Sequence, residues 1–256
     1  MSDVPSIHEF DLSIICEYFA EMPRQGPGST EITNRALDFV EPLGPDAQVA
    51  DLGCGTGGQT MTLAQRVPGK ITGFDLFPKF IDLFNAQAKQ LGLDDRVSGC
   101  VGSMDALPYS PGQLDLIWSE GSIYNIGFER GLREWREFLK PGGYVGVSEA
   151  SWFTDTRPAE IEDFWMEAYT GINTVPVQLA QLQAAGYKAI ACFAVPDSCW
   201  LDEFYAPHDK AAEVLLARHP ENPAAKGFIE NQRHERRLYN KYKEYYGYTF
   251  FIGQKR

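Results

Sequence analysis

The hydrophobic positions of this chain change their spacing from one segment to the next. Five short apolar runs have the length of buried β-strands: residues 48–52, 70–75, 97–101, 114–118 and 144–148. Between these runs, apolar residues recur at every third or fourth position, as on one face of an α-helix. Such helices are predicted at residues 58–67, 78–91 and 131–139. The alternation of strands and helices predicts a parallel sheet with helices on both faces.

The last hundred or so residues are expected to complete the sheet and to add helices. Residues 188–195 and 248–253 predict a sixth and a seventh strand, and the seventh would close the sheet as a hairpin-like partner. The insertion between them, 197–247, is too long for a bare loop and is predicted to be helical over 206–218 and 223–246. Trp200, Phe204, Tyr205 and His208 cluster near its start, within reach of a site.

The N-terminal residues 1–45 are predicted to be mostly helical. An apolar stripe from Phe10 to Phe19 indicates a first helix that either packs in the core or forms a lid over a ligand. A Gly-Pro turn follows, and Ser29 or the residue after it is a candidate N-cap for a helix over 31–40.

A glycine-rich turn joins the first strand to the next helix, and residues 49–60 read VADLGCGTGGQT. Gly53, Gly55 and Gly57 can adopt backbone angles that side chains forbid, and they let a ligand approach the main chain. Asp75 ends the second strand about 20 residues further on, where an acid suits the hydroxyls of a ribose.

Two details distinguish this turn from one that binds a dinucleotide. The glycines follow G-x-G-x-G rather than G-x-G-x-x-G, and Asp51 stands two residues before the first of them. A carboxylate there repels a pyrophosphate and attracts an ammonium. S-adenosylmethionine (SAM) carries a ribose, an adenine, an ammonium and a sulfonium but no phosphate, so the sequence favours SAM. The alternative is a plain strand–helix turn without a ligand.

The segment VADLGCGTGG resembles motif I of the class I SAM-dependent methyltransferases. The resemblance implies a Rossmann-like α/β fold with seven mostly parallel strands, helices on both faces, an antiparallel last strand and helical cap insertions. Residues 46–151 would be the SAM-binding core, 1–45 an N-terminal helical cap or lid, and 152–256 the completion of the sheet with a substrate cap. All three parts are expected to form one structural domain.

The resemblance also implies roles for individual residues. Asp51 and the glycine loop would hold the methionine part of SAM, Asp75 the ribose, and Asp105 the exocyclic amine of adenine. Asp105 as a simple turn residue and Glu120 as a packing residue remain alternatives. The residues expected to bind the cofactor are Gln25, Gly26, Asp51, Gly53, Gly55, Gly57, Asp75, Leu76, Ser103, Met104, Asp105 and Glu120.

The expected activity is transfer of a methyl group from SAM to a small molecule, with S-adenosylhomocysteine as the second product. Tyr124 is a candidate for directing the acceptor atom, and an oxygen acceptor would need a base, for which Glu149, Glu120 and His208 are candidates. The sequence does not choose between oxygen, nitrogen, sulfur and carbon acceptors. Methylation of protein or RNA, SAM binding without transfer, and an NAD-linked oxidoreductase are the alternatives.

The composition of the chain limits the kinds of molecule that it is expected to bind. The formal charge of −12 disfavours nucleic acid, which needs a basic face. The five cysteines form no C-x-x-C pair, and together with the four histidines they show no zinc-binding spacing, so no metal is expected. The cysteines are expected to be free thiols in the cytoplasm. Residues 1–5 do not show the basic and then apolar pattern of a signal sequence, so none is expected, and the lack of an 18-residue apolar run predicts no membrane span. Aromatic residues over 239–248, read as exposed, suggest an interface for a homodimer.

Overall fold

A computed structural model describes residues 11–256 of the chain, so Phe10 of the predicted N-terminal stripe lies outside the described residues. Within that range, eight strands form one sheet. The strands are β1 Gln48–Leu52, β2 Lys70–Asp75, β3 Val97–Val101, β4 Leu114–Glu120, β5 Leu139–Trp152, β6 Asn173–Thr174, β7 Tyr187–Ala194 and β8 Tyr246–Lys255.

The strand order is β3-β2-β1-β4-β5-β8-β7, with the two-residue β6 paired to the end of β5. All pairs are parallel except those of β8, which runs antiparallel to both β5 and β7. The predicted fold class, a mostly parallel sheet with an antiparallel last strand, is therefore confirmed. Because the strand order reverses between β1 and β4, a crevice opens at the carboxyl ends of these two strands.

Helices cover both faces of the sheet, and each face has its own cluster of buried apolar side chains. Phe84 and Ala88 fill one cluster from the fourth helix, and Leu132 and Trp135 fill the other from the fifth. The helices are α1 Leu12–Ala20, α2 Thr30–Leu37, α3 Gly58–Ala64, α4 Pro78–Gln90, α5 Phe128–Trp135, α6 Ala159–Ala168, α7 Val175–Ala184, α8 Asp197–Trp200, α9 His208–Arg218 and α10 Pro223–Tyr242.

The apolar stripe of the first helix packs in the core, as one of its two readings predicted, and its role as a lid stays a prediction. Tyr18 and Phe19 of α1 are buried, and the Tyr18 ring lies 5.1 Å from that of Phe228 in α10. Ser29 caps α2 as predicted, since its hydroxyl oxygen accepts from the N–H of Ile32 at 3.1 Å. Helices α1, α9 and α10 thus pack together at the carboxyl-end edge of the sheet, and we call these three helices the cap.

The predicted limits of the fifth helix and fifth strand were wrong. The helix begins at Phe128 and ends at Trp135, and β5 begins already at Leu139. The segment 140–143, expected to stop a helix, lies inside β5 because Leu139 pairs with Leu114 of β4. Helical periodicity does not reveal this pairing, which is made across the sheet.

The aromatic stretch near the C-terminus is not an exposed surface. Tyr239, Tyr242, Tyr246 and Tyr248 are all buried, and the Tyr239 ring stacks on Trp200 with 4.4 Å between centroids. These rings face inward because α10 packs its aromatic side against α8 and β8. The expectation that these aromatic residues are exposed is therefore wrong, and a homodimer stays a prediction. Among the described residues, no helix combines the length and the apolar character needed to cross a bilayer.

Candidate active site

A cavity of about 540 Å³ opens at the carboxyl ends of β1, β2 and β4. The glycine loop after β1 and Asp75 at the end of β2 form its lower wall, and α1 adds Ile15 and Phe19. The upper wall comes from the cap and its neighbours, and it includes Trp200 and Glu235. One cavity therefore joins the predicted cofactor loop to the helical insertion.

The backbone N–H groups of the glycine loop are used within the protein. Those of Gly53 and Cys54 both donate to the carbonyl of Phe74 in β2, at 2.8 and 3.0 Å. The N–H of Gly57 donates to the carbonyl of Cys54 at 3.0 Å. These bonds fold the loop back against its neighbouring strand.

The two remaining donors of the loop meet side chains. The N–H of Gly55 donates to Asp75 Oδ2 at 3.0 Å, and that of Thr56 donates to Gln25 Oε1 at 2.9 Å. Every N–H from Gly53 to Gly57 is thus occupied, so none of these five loop donors is left for a phosphate.

The glycines are needed for conformation and for space. Gly53, Gly55 and Gly57 have φ of 72°, 54° and 97°, in the left-handed region. A Cβ on Gly55 would lie 2.1 Å from Gln25 Oε1. Gln25, predicted to lie near the cofactor, is held by the carbonyl of Phe19, 3.1 Å from its Nε2, so it cannot easily move away.

Asp75 is a half-buried acid on the cavity wall, next to the exposed Leu76. Its Oδ1 accepts from the N–H of Phe77 at 3.0 Å, and its Oδ2 from Gly55. Burial raises the pKa of this carboxyl above its ordinary value. Each carboxylate oxygen has a second lone pair, so Asp75 can still accept from the hydroxyls of a ligand.

Asp51 is fully buried beneath the loop rather than on the cavity wall. Its Oδ2 accepts from Thr60 Oγ1 at 2.5 Å and its Oδ1 from Gln59 Nε2 at 3.4 Å, which ties β1 to the first turn of α3. Burial raises the pKa of Asp51 to about 7. Gln59 itself lies on the wall, so the structure connects Asp51 to the cavity through this side chain.

Glu120 lies on the wall with its carboxylate already bonded. Arg24 forms an ion pair with its Oε2, while Thr33 at 2.7 Å and the Trp118 indole at 2.9 Å donate to its Oε1. The two charged side chains are only 9% and 4% exposed, so this is a buried pair. The Arg24 contact was missed in the sequence, because 96 residues separate the partners and no local pattern links them.

The loop predicted to hold adenine is only partly at the cavity. Gly102 and Met104 lie on the wall, whereas Ser103 and Asp105 do not. Asp105 is exposed and accepts from the Ser103 hydroxyl at 2.5 Å. The structure therefore brings Met104 to the site and leaves Asp105 at the protein surface beside it.

Tyr124 lies on the wall, whereas Glu149 does not and is buried within β5, three residues before the end of the strand, with 1% of its surface exposed. Oε1 of Glu149 accepts from the N–H of Ala150 at 2.7 Å, and among the described residues Oε2 has no partner. Burial raises the pKa of Glu149 to about 8. The hydroxyl of Thr249, which pairs with Glu149 across the sheet, is likewise buried and unpaired.

His208 lies inside the cap and not on the wall of this cavity. Its ring is 4.6 Å from the centroid of Phe204 and 5.4 Å from that of Tyr18, both edge-on. Burial lowers the pKa of His208 to about 4, so the imidazole is neutral. The histidine serves as an aromatic packing residue at this position.

The central part of the chain matches a known family model. Residues 49–143 match the family model described as a methyltransferase domain. Geranyl diphosphate 2-C-methyltransferase of Streptomyces lasalocidi is 33% identical over 113 residues, which cover 44% of this chain and 38% of that protein. The first curated relatives are thus matched over less than half of their own length.

Solved structures share the fold over nearly the whole chain. A SAM-dependent methyltransferase from Thiobacillus denitrificans has a TM-score of 0.82 at 21% identity, covering 95% of this chain and 98% of its own. One from Geobacter sulfurreducens has a TM-score of 0.79 at 22% identity and covers 100% of both chains. Both were solved with S-adenosylhomocysteine bound. The expected resemblance to methyltransferases is confirmed.

Proposed function

We propose that this protein, whose residues 49–143 form a methyltransferase domain, moves a methyl group from SAM to a small-molecule acceptor and releases S-adenosylhomocysteine. One observation carries the proposal. The N–H groups of Gly53 to Gly57 are all bonded within the protein, while the acid Asp75 remains on the cavity wall beside them. That combination suits a ribose without a phosphate, which distinguishes SAM from a dinucleotide.

The proposed cofactor contacts follow the lower wall. Asp75 would accept from the ribose hydroxyls, and Met104 would lie against adenine. The methionine part would lie along Gly53 and Gly55, where the absence of side chains permits close approach, with Gln25 at its far side. The Met104 side chain is apolar, as contact with the adenine ring requires, and the Gln25 amide is polar, as contact with the methionine part requires.

When bound, SAM supplies a methyl group on a positively charged sulfur. The protein then has to position the acceptor about 3 Å from that carbon, in line with the carbon–sulfur bond, and to exclude water. Tyr124 is proposed to direct the acceptor atom from the wall. We expect the aromatic rings of the upper wall to exclude water from the cavity and to stabilise the positive charge by cation–π interactions.

Glu149 is the proposed proton acceptor. It lies behind the cavity wall rather than on it, near Tyr124 of that wall, whose pKa is raised by burial and further by the charge of Glu149. Three observations support it over the other two candidates. Its Oε2 has no partner among the described residues, whereas Glu120 is ion-paired with Arg24. A pKa of about 8 suits a base that works near neutral pH. His208 packs among aromatic rings inside the cap, and its pKa of about 4 makes it a weak base near neutral pH.

A labelled-methyl screen tests the proposed function. The full chain is incubated with methyl-labelled SAM and a metabolite extract, and products are identified by mass. We expect label in a small molecule, and Asp75→Ala should reduce it. Label found only in protein or RNA would instead support the macromolecular alternative, and SAM binding without any transfer would support a binding protein.

All five cysteines are free thiols, which supports placing the reaction in the reducing cytoplasm.

A further inference from the structure

The upper end of the cavity is built largely from aromatic rings. The wall at this end includes four aromatic residues: Trp165 of α6, Trp200 of α8, Tyr248 of β8, and Phe204 from the segment that follows α8. The rings of Trp200 and Tyr248 meet edge-on with 4.8 Å between centroids. Because these rings also pack against the buried tyrosines behind them, their faces are held in place around the chamber. We call these four wall residues the aromatic chamber.

One carboxylate shares this wall. Glu235 of α10 lies on it, and Glu235 Oε1 accepts from the hydroxyl of Tyr205 at 3.0 Å. Within residues 11–256, no Lys, Arg or His forms an ion pair with Glu235. Desolvation raises the pKa of this carboxyl above its ordinary value. Gln232, three residues earlier on the same helix face, is buried and lies on the wall beside it.

Among the described residues, the cavity wall offers no unpaired positive charge to balance an anion. Of the described wall residues, Arg24 alone is cationic, and it is paired with Glu120. A carboxylate or phosphate on the acceptor would therefore lose its hydration without gaining a partner. A cation would instead meet aromatic rings and a carboxylate without an ion-pair partner among the described residues, both of which attract it.

We propose that the methyl acceptor is a small amine, whose ammonium form binds in the aromatic chamber against Glu235. The inference rests on the proposed function and names the substrate class of the same site. Glu235 selects the substrate by its charge, and Gln232 offers an amide oxygen to a second N–H of the same nitrogen.

The step balances in atoms and charge. The bound ammonium gives one proton to Glu149 and becomes a neutral amine with a free electron pair. That pair forms the new carbon–nitrogen bond while the carbon–sulfur bond breaks and its electrons return to sulfur. The products are a methylated ammonium and a neutral thioether, and the proton on Glu149 passes to solvent.

An isosteric pair of probes tests charge recognition without methyl transfer. Choline and 3,3-dimethylbutan-1-ol have the same shape and differ in the charge at one atom. Each is titrated into the full chain saturated with S-adenosylhomocysteine, and binding is followed by the fluorescence of Trp165 and Trp200 on the wall. We expect choline to bind about tenfold more tightly or better.

Glu235→Gln keeps an oxygen for Tyr205 and removes the charge. This substitution should weaken the binding of choline about tenfold and leave the affinity for the alcohol unchanged. Glu213→Gln, at an exposed position of α9, serves as the matched control and should change neither. Equal affinity for the two probes, or choline binding that survives Glu235→Gln, would overturn the inference. Failure of the proposed function is recognised separately, because the protein would then either not bind S-adenosylhomocysteine at the start or transfer no label from SAM to any acceptor.

Turnover provides the second measurement. With labelled SAM, aliphatic and aromatic primary and secondary amines should be methylated, and the alcohols of the same shape should not. With an amine found in this way, Glu235→Gln should raise KM about tenfold with a smaller change in kcat. A preference for the alcohols, or for carboxylic acids, would contradict the assignment.

Discussion

The carboxylate of Asp75 accepts a hydrogen bond from the backbone N–H of Gly55, with 3.0 Å between the two atoms. The bond joins the end of β2 to the glycine loop that follows β1. Both sides of the proposed cofactor site are therefore held by the same acid that is proposed to bind the ribose. A change at either residue should alter affinity for SAM and the order of the loop together.

Replacement of Asp75 by Ala should weaken SAM binding by roughly 1–3 kcal/mol, because the ribose hydroxyls and the Gly55 N–H both lose their acceptor. Titration calorimetry with SAM measures the change. Asp82→Ala, at an exposed position of α4, is the control for removing one negative charge nearby. Unchanged affinity in Asp75→Ala would remove the ribose assignment.

Gly55→Ala should reduce the free energy of unfolding by roughly 1–3 kcal/mol, because its φ of 54° is strained for alanine and the new Cβ would meet Gln25. Denaturant unfolding gives the value. Gly44→Ala is the control, since a Cβ there meets nothing within 4 Å. The double variant Gln25→Ala/Gly55→Ala should recover part of the loss. If Gly55→Ala is as stable as Gly44→Ala, the described packing of Gln25 over the loop is wrong.

Arg24→Ala should destabilise the protein by roughly 3–5 kcal/mol, because Glu120 would remain buried without its countercharge. Denaturant unfolding again measures the loss. Arg24→Met combined with Glu120→Gln removes both charges, keeps most of the volume and should be clearly more stable than Arg24→Ala. A double variant no better than the single one would show that the buried charge is not the cause.

The raised pKa of Glu149 predicts how the free energy of unfolding depends on pH. Its folded-state pKa of about 8 lies above the ordinary value of 4.5, so the folded protein holds this proton more tightly than the unfolded chain does. The resulting stability is fully present below about pH 4.5 and is lost as pH rises towards 8. Relative to Glu149→Gln, the wild type should therefore lose roughly 1 kcal/mol per pH unit across this window.

Unfolding free energies at pH 5, 6, 7 and 8 for the wild type and Glu149→Gln provide the measurement. Glu167→Gln, an exposed position on α6, should follow the wild type at every pH. A difference between wild type and Glu149→Gln that stays constant with pH would mean that Glu149 titrates as an ordinary carboxyl in the folded protein.

Local patterns predicted most of the elements that build the site. The strand, the glycines and Asp75 are close in sequence, and their geometry follows from φ angles and from strand ends. The fifth helix and strand were placed wrongly, because the pairing of Leu139 with Leu114 is a contact across the sheet. The tyrosines of 239–248 were misread as exposed for the same reason, since their cover comes from other elements.

The chemistry of the upper wall could not be predicted in full. Trp200 and Phe204 were expected near the site because they cluster in sequence, and both lie on the wall. Glu235 is one of many charged residues on a long helix, and only the packing of α10 shows which of them faces the cavity. The ion pair of Arg24 with Glu120 likewise joins distant segments, so it appears only in the folded chain.

Titration calorimetry of the full chain with SAM, S-adenosylhomocysteine and NAD tests the central claim most directly. The account predicts saturable binding of the first two at one site, weakened by Asp75→Ala, and no heat from NAD. Binding of NAD without any response to SAM would contradict it, because the glycine loop would then hold a pyrophosphate.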